Sequence, residues 1–171
     1  MTRPLLSLAA ALLLVGTAQA QTVVLVRHAE KATAPAADPS LTAEGRTRAA
    51  ALAGVLKDAR VSAILTSHLA RTRETARPLS QQTGAPVTPV PLTGGLARYV
   101  DATAAAVRRA PKDSTVVVVA HSNTVPAIAK ALGYAAAVDI PECRYDDLLI
   151  LELGAGASRA VASRYGAASA C

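Results

Sequence analysis

Three short segments of the sequence carry residue types that suit phosphate chemistry. Arg27-His28-Ala29-Glu30 follows an apolar stretch, Ser67-His68-Leu69-Ala70-Arg71 follows a second one, and His121-Ser122-Asn123-Thr124 follows four consecutive valines. An arginine guanidinium can donate two parallel hydrogen bonds to phosphate oxygens, and a neutral imidazole is a competent nucleophile towards phosphorus. The two histidines and two arginines at these places therefore predict a phosphate-transferring site, with His28 as the nucleophile, if the fold brings them together.

Strand and helix patterns alternate along the chain, and turn residues separate them. Apolar, β-branched runs predict strands or extended segments at 22–26, 61–66, 86–91, 115–120, 148–153 and 158–164. Helices are predicted at 41–59, 67–82, 97–110 and 124–132. Thr42 is the expected N-cap of the first helix, and Gly84 is the expected end of the second. Lys31 to Ser40, rich in Ala and Pro, is predicted to be a surface loop.

This alternation predicts the α/β class, as a three-layer α/β/α sandwich around a mostly parallel sheet. The carboxyl ends of parallel strands meet at one edge of the sheet, where ligands bind. Because the three segments directly follow predicted strands, Arg27, His28, Arg71 and His121 should converge at that edge. The N-termini of the helices after Ser67 and His121 should add free N–H groups and partial positive charge there.

The first 20 residues have the three-part pattern of a secretory signal. Arg3 precedes an apolar run from Leu5 to Val15, and a small-x-small cleavage pattern ends at Ala20. The run is shorter than the roughly 20 apolar residues that a membrane span needs. We expect export to the bacterial periplasm or cell envelope, a single mature domain over residues 21–171, and no stable membrane insertion after cleavage. A buried N-terminal helix is the alternative interpretation.

Composition narrows the choice of partners. The net charge of +6 falls to +5 without Arg3, the basic residues are scattered, and the chain has no Phe or Trp. This is a poor signature for nucleic-acid binding, so we expect a phosphorylated small molecule or phosphoprotein as substrate. No Cys/His cluster has metal-ligand spacing, and neither a metal nor another cofactor is expected. Export permits a disulfide between Cys143 and Cys171, but the sequence leaves that pairing and the oligomeric state open.

The chemistry-bearing segments also resemble the motifs of the histidine phosphatase superfamily, which has the phosphoglycerate mutase-like fold. Residues 25–30 are similar to its Arg-His-Gly signature, and Leu41-Thr42-x-x-Gly45 resembles its Leu-Thr-x-x-Gly helix start. Residues 66–72 and 119–122 are similar to its second and third motifs. The four motifs occur in the family's order, and the resemblance covers residues 22–164.

The resemblance implies a role for each residue of the predicted site. It implies that His28 becomes phosphorylated and that Arg27, Arg71 and His121 hold the phosphate, with His121 donating to the transferring group. The reaction would be metal-independent hydrolysis of a phosphomonoester or phosphoramidate. A non-catalytic phosphate-binding member of the same fold is the alternative, and a mutase or a purely structural domain is less favoured.

The chain departs from the family pattern in places that concern proton transfer. Ala29 replaces the usual glycine, and Ala34 stands where many members carry a phosphate-binding asparagine. Residues 89–95 contain no carboxylate, although many members have a glutamate general acid in this region. The resemblance therefore points to a small exported branch without that glutamate, a feature shared with small bacterial phosphohistidine phosphatases. Glu30 is the nearest candidate general acid. A late loop supplies three others, Glu142, Asp146 and Asp147.

Overall fold

The structure is a computed structural model that describes residues 20–154 and 158–171. Residues 1–19 of the predicted signal, and most of the turn predicted at Gly154-Ala155-Gly156, lie outside the described residues. In the part of the chain that is described, no helix is long and apolar enough to cross a membrane.

The described residues form six strands and four helices. The strands are β1 (Gln21–Arg27), β2 (Val61–Ser67), β3 (Val87–Val90), β4 (Thr115–Ala120), β5 (Asp147–Leu153) and β6 (Arg159–Arg164). The helices are α1 (Ala43–Leu56), α2 (Ala70–Thr83), α3 (Gly95–Arg109) and α4 (Thr124–Ala131). The strands make one sheet in the order β3-β2-β4-β1-β5-β6. Strands β3, β2, β4 and β1 run parallel to one another. Strand β5 runs antiparallel to β1, and β6 runs antiparallel to β5.

The helices cover both faces of this sheet, which confirms the predicted three-layer architecture. Successive residues of a strand point to opposite faces. Val23 and Leu25 of β1 pack in one buried cluster with α3 and α4, whereas Val24 and Val26 pack in another with α1 and α2. Both faces of the central strands are thus removed from water, as expected for a continuous valine run such as that of β4. All six residues of β4 are buried.

The pairing of β1 with β4 sets the position of the two histidines that follow these strands. Arg27 is the register partner of Ala120, and the backbone N–H of His28 donates to the Ala120 carbonyl at 2.9 Å. His28 and His121 are therefore held side by side at the carboxyl edge of the sheet by backbone hydrogen bonds. This confirms that the strand ends bring the two segments together.

Two helix boundaries test the sequence predictions in opposite ways. Thr42 is the N-cap of α1, as predicted, and its hydroxyl accepts from the Gly45 N–H at 3.1 Å. The prediction that α2 begins at Ser67 is wrong, because Ser67 is still part of β2 and the helix begins at Ala70. The Ser67 hydroxyl instead pairs with that of Thr72 at 2.9 Å. Leu69, at the N-cap, makes no side-chain capping bond.

Helix α1 lies close against the segment that carries His28. The Thr42 N–H donates to the Glu30 carbonyl at 2.9 Å, and a Cβ added to Gly45 would overlap that same carbonyl oxygen. Position 45 therefore requires glycine, because its backbone lies directly against Glu30. Glu30 is two residues from the predicted nucleophile, His28. Gly54 of the same helix is exposed, and a Cβ added to it would meet no atom within 4 Å.

These two glycines make a matched pair of substitutions. Gly45→Ala should lower the free energy of unfolding by about 2 kcal/mol or more, because the methyl group overpacks against fixed backbone. Gly54→Ala should raise it by about 0.5–1 kcal/mol, because alanine is the better helix former in an open position. Urea unfolding of both variants measures the difference. Equal effects in the two variants would contradict the close approach at Gly45.

Candidate active site

The residues predicted to handle phosphate surround one point at the carboxyl edge of the sheet. The rings of His28 and His121 lie edge to face with centroids 5.4 Å apart. Arg27 and Arg71 are close enough for their charges to lower the pKa of both histidines. Residues from three separate segments of the sequence are thus neighbours, as the strand ends predicted.

His28 is held in the form that suits a nucleophile. Its side chain is 3% exposed, and Nδ1 lies 2.8 Å from the Ala29 carbonyl oxygen. A carbonyl can only accept, so Nδ1 carries the proton of the neutral ring and Nε2 keeps a free lone pair. Burial lowers the pKa of His28 to about 3, the Ala29 carbonyl opposes this, and the positive charges nearby lower the pKa further. The imidazole is therefore neutral at physiological pH.

His121 is neutral for similar reasons but has a different polar partner. Burial lowers its pKa to about 4, and the charges of Arg71 and Arg27 act in the same direction. Its Nε2 lies 3.1 Å from the hydroxyl of Ser67 at the end of β2. Sequence reasoning did not identify Ser67 as a partner of His121, because only the pairing of β2 with β4 brings them together.

Arg27 is almost completely buried, and the late loop surrounds it. Its side chain is 2% exposed. Nη1 donates to three backbone carbonyls at 2.8–3.0 Å, those of Pro141, Glu142 and Arg144. The guanidinium also stacks over the Tyr145 ring at 4.2 Å. The Nη1 group of Arg27 therefore fixes the loop through these hydrogen bonds, a role that the sequence did not reveal.

Both arginines retain an unsatisfied buried donor. Within the described residues, the Nε atoms of Arg27 and Arg71 are buried and have no hydrogen-bond partner. Arg71 has Asp38 at 3.9 Å. Burial lowers its pKa, Asp38 raises it, and the charge of Arg27 lowers it again. Buried donors without partners are costly, and two of them beside two neutral histidines suit an anion with several oxygens.

Glu30, the predicted candidate general acid, is engaged elsewhere. Its two carboxylate oxygens accept from Nε and Nη2 of Arg48 at 2.7–3.1 Å. Arg48 also donates to the carbonyls of Tyr165 and Ala167 in the C-terminal tail. A proton-donor role for Glu30 would require this ion pair to open. Arg48 occurs among buried positions of α1, and a charged residue on a buried helix face is the sequence signal that could have indicated this partner.

Asp146 and Asp147 form ion pairs that link the start of β5 to the end of β6. Asp146 accepts from Arg164 at 3.0 Å, and Asp147 pairs with the same arginine at 3.3 Å. Burial acts to raise the pKa of Asp146, but hydrogen bonds from Ser169 and Arg164 outweigh it and lower the pKa to about 2. These carboxylates fasten β6 to the start of β5, as their place at the strand boundary suggests.

Glu142 is the late-loop carboxylate that reaches the site. Its side chain is 78% exposed, and Oε2 lies 2.6 Å from Arg27 Nη2. Oε1 accepts from the Ser122 hydroxyl at 2.5 Å, beside His121. The hydrogen bond from Ser122 lowers the pKa of Glu142, and the nearby charges of Arg27 and Lys31 add to this despite a small opposing effect of burial. The carboxylate is therefore charged at neutral pH.

The C-terminal tail holds the loop in place. A disulfide joins Cys143 to Cys171, which closes the pairing that the sequence left open. The Ser169 hydroxyl accepts from the backbone N–H groups of Tyr145 and Asp146 at 2.8 and 3.2 Å. Because Cys143 lies between Glu142 and Arg144, the tail indirectly positions the carbonyls that receive Arg27. Among the described residues, no group of three His, Cys, Asp or Glu side chains is placed to hold a metal ion.

One family model matches part of the sequence. The branch 1 sequence model of the histidine phosphatase superfamily matches residues 23–93, a range that includes the segments of His28 and Arg71. Comparison with curated protein sequences gave no significant match.

Solved structures share the fold over most of the chain. A mycobacterial glucosyl-3-phosphoglycerate phosphatase solved with VO3 is 19% identical, with a TM-score of 0.64 over 85% of this chain and 99% of its own. A Nakamurella multipartitia protein, provisionally named the phosphohistidine phosphatase SixA, is 26% identical, with a TM-score of 0.62 over 86% and 98%. YhfR of Bacillus stearothermophilus is 19% identical, with a TM-score of 0.65 over 81% and 94%. The predicted phosphoglycerate mutase-like fold is therefore confirmed.

The low pKa values of His28 and His121 make a prediction about acid stability. Unfolded histidine has a pKa near 6.5, so below that pH the unfolded chain binds protons that the folded site resists. The free energy of unfolding should therefore be fully present above pH 6.5 and fall towards pH 4, by up to about 1.4 kcal/mol per pH unit for each histidine. Thermal melting across this range measures the slope, which should decrease in His28→Gln. The exposed His68 provides the control, and His68→Gln should change the slope less than His28→Gln does, because His68 is not buried.

The disulfide should contribute to both stability and the site. Replacing Cys143 and Cys171 together by serine should cost about 3–4 kcal/mol of unfolding free energy, as the chain-entropy relation gives for a sequence separation of 28. Affinity for inorganic phosphate should also fall, because the carbonyls around Arg27 lose their tether. Urea unfolding and calorimetric titration measure the two effects. A double variant with wild-type phosphate affinity would show that the loop holds Arg27 without the tail.

Proposed function

We propose that this chain is an exported member of the histidine phosphatase superfamily and hydrolyses a phosphomonoester or phosphoramidate through a phosphohistidine at His28. The observation that carries the proposal is the state of His28, whose buried neutral ring has Nδ1 tied to a carbonyl and Nε2 unprotonated. This ring lies among His121, Arg27 and Arg71, which supply positive charge and hydrogen-bond donors for phosphate oxygens.

The proposed reaction has two displacements at phosphorus. Nε2 of His28 attacks, the bond from phosphorus to the leaving oxygen or nitrogen breaks, and the leaving group takes up a proton from water. Water then attacks the phosphohistidine, the P–N bond breaks, and inorganic phosphate and neutral His28 are restored. Phosphoryl transfer depends mainly on positioning and on stabilised equatorial oxygens, and the two buried Nε donors of the arginines suit that task.

Neutral histidines at this site favour transfer in each step. A protonated His28 would have no lone pair to attack phosphorus, and its pKa of about 3 keeps it unprotonated at neutral pH. His121 has a pKa of about 4 in the absence of substrate, and a bound phosphate dianion would raise that value by favouring the charged ring. His121 can then donate a hydrogen bond to the transferring group.

The proposed substrate class is supported by the site and by the names of structures with the same fold. Structures with this fold include proteins named as a glucosyl-3-phosphoglycerate phosphatase and a phosphohistidine phosphatase, so small phosphoesters and phosphoramidates are both within the fold's range. We propose that residues 1–20 are a secretory signal and that the enzyme acts in the bacterial periplasm or envelope. Its substrate would then be a phosphorylated small molecule or phosphoprotein of that compartment.

A phosphate-binding protein without turnover is the second candidate. Two observations favour it: residues 89–95 contain no carboxylate, and Glu30 is held by Arg48. Such a protein would bind phosphate or vanadate without forming a covalent intermediate. Chemical trapping of phosphorylated His28 in the wild-type protein would exclude it.

Removal of the nucleophile tests the proposed function. His28→Ala should lower kcat/KM for a generic aryl phosphate by at least about a thousandfold, since the reaction would lose its covalent intermediate. The assay measures phosphate release by the mature protein. His68→Ala is the matched control and should retain most of the activity, because His68 is exposed and its charge has only a small effect on His121.

Equal and slow phosphate release by wild type and His28→Ala would contradict the proposal. If wild type is active and His28→Ala is not, a screen of phosphorylated compounds against the mature enzyme would extend the result from aryl phosphate to the physiological substrate class.

A further inference from the structure

Part of the candidate phosphate site is occupied by a side chain of the protein itself. The Glu142 carboxylate bridges Arg27 Nη2 and the Ser122 hydroxyl. Arg27 is one of the guanidinium groups assigned to phosphate, and Ser122 directly follows His121 just before α4. A carboxylate is a planar anion that accepts the same hydrogen bonds as two phosphate oxygens. Glu142 therefore takes donors that an incoming phosphate would use.

The carboxylate can leave without disturbing the loop that carries it. The Glu142 side chain is 78% exposed, whereas its own backbone carbonyl is fixed to Arg27 Nη1 at 2.8 Å. The next residue, Cys143, is tethered by the disulfide to Cys171. Side-chain rotation into solvent would thus free Nη2 and the Ser122 hydroxyl while Nη1 keeps its three carbonyl partners.

We propose that Glu142 is an internal competitor for the phosphate position, which the substrate must displace and which returns when phosphate leaves. The inference rests on the proposed function, because it concerns the same anion site. In the unliganded protein the carboxylate balances the charge of a buried guanidinium. When phosphate is bound, the carboxylate would be repelled by it as a like charge. The phosphate would then accept from Arg27 Nη2 and the Ser122 hydroxyl in its place.

This role makes Glu142 a determinant of affinity and selectivity. An anion that takes both Arg27 Nη2 and the Ser122 hydroxyl would replace both hydrogen bonds of the carboxylate. A monodentate anion would replace only one of them. The charged groups around Glu142 are Arg27 and Lys31, which attract it, and His121, whose pKa it raises slightly. The pKa of Glu142 is itself lowered in the free site, which favours a competing anion over a proton donor.

The substitution that tests this is Glu142→Gln, which removes the charge and keeps the size. Glu152→Gln is the matched control. Glu152 is an exposed carboxylate on β5 whose register partner is Thr22, so it lies at the opposite end of β1 from His28. Binding of inorganic phosphate is measured by calorimetric titration, and product inhibition by phosphate is measured during hydrolysis of an aryl phosphate.

Glu142→Gln should bind inorganic phosphate at least about fivefold more tightly than wild type, since a charge-assisted hydrogen bond no longer has to be broken. Glu152→Gln should bind it as the wild type does. The inhibition constant for phosphate should fall by the same factor, so that product release slows in Glu142→Gln.

Unchanged or weaker phosphate binding by Glu142→Gln would overturn the inference, as would the absence of binding by both proteins. A second result would also overturn the inference. If product inhibition of Glu142→Gln were unchanged and its kcat fell only for alkyl phosphates, Glu142 would be the proton donor. Failure of the proposed function gives a different result. In that case phosphate would bind Glu142→Gln more tightly than wild type, but neither protein would turn over an aryl phosphate or form phosphorylated His28.

Discussion

The burial of the Arg27 guanidinium is the constraint on which the rest of the site depends. A charged group that is 2% exposed needs polar partners, because burying a charge without them is prohibitive. Three backbone carbonyls, the Glu142 carboxylate and the Tyr145 ring meet this requirement. The late loop is therefore shaped around Arg27, and Nη2, which has no carbonyl partner, pairs with the Glu142 carboxylate.

The C-terminal tail completes this arrangement from outside the sheet edge. It is attached by the disulfide at Cys143, by Ser169 at the backbone of Tyr145, and by Arg48, which also holds Glu30. These attachments connect the loop around Arg27 with the segment that follows His28. The Glu30 carboxylate thus has a structural task, whereas the carboxylate that contacts Arg27, that of Glu142, comes from the loop.

Charge distribution then decides what the site can do. Burial and two nearby arginines keep both His28 and His121 neutral, which the proposed roles require, since only an unprotonated imidazole could attack phosphorus. The same positive charges favour the ionised form of Glu142. Under the proposed roles, the Glu142 carboxylate would occupy the anion site until a phosphate displaces it.

The sequence by itself determined the layers, the helix N-cap at Thr42, and the convergence of His28, Arg71 and His121. These follow from local patterns, because strand periodicity and residues that directly follow strands fix which side chains reach the carboxyl edge of a parallel sheet. Tertiary structure alone decided that Arg48 engages Glu30, that Ser67 contacts His121, and that Glu142 occupies the site. Those pairings join residues 18 to 115 positions apart, and side-chain contacts at such separations depend on packing geometry that no local pattern records.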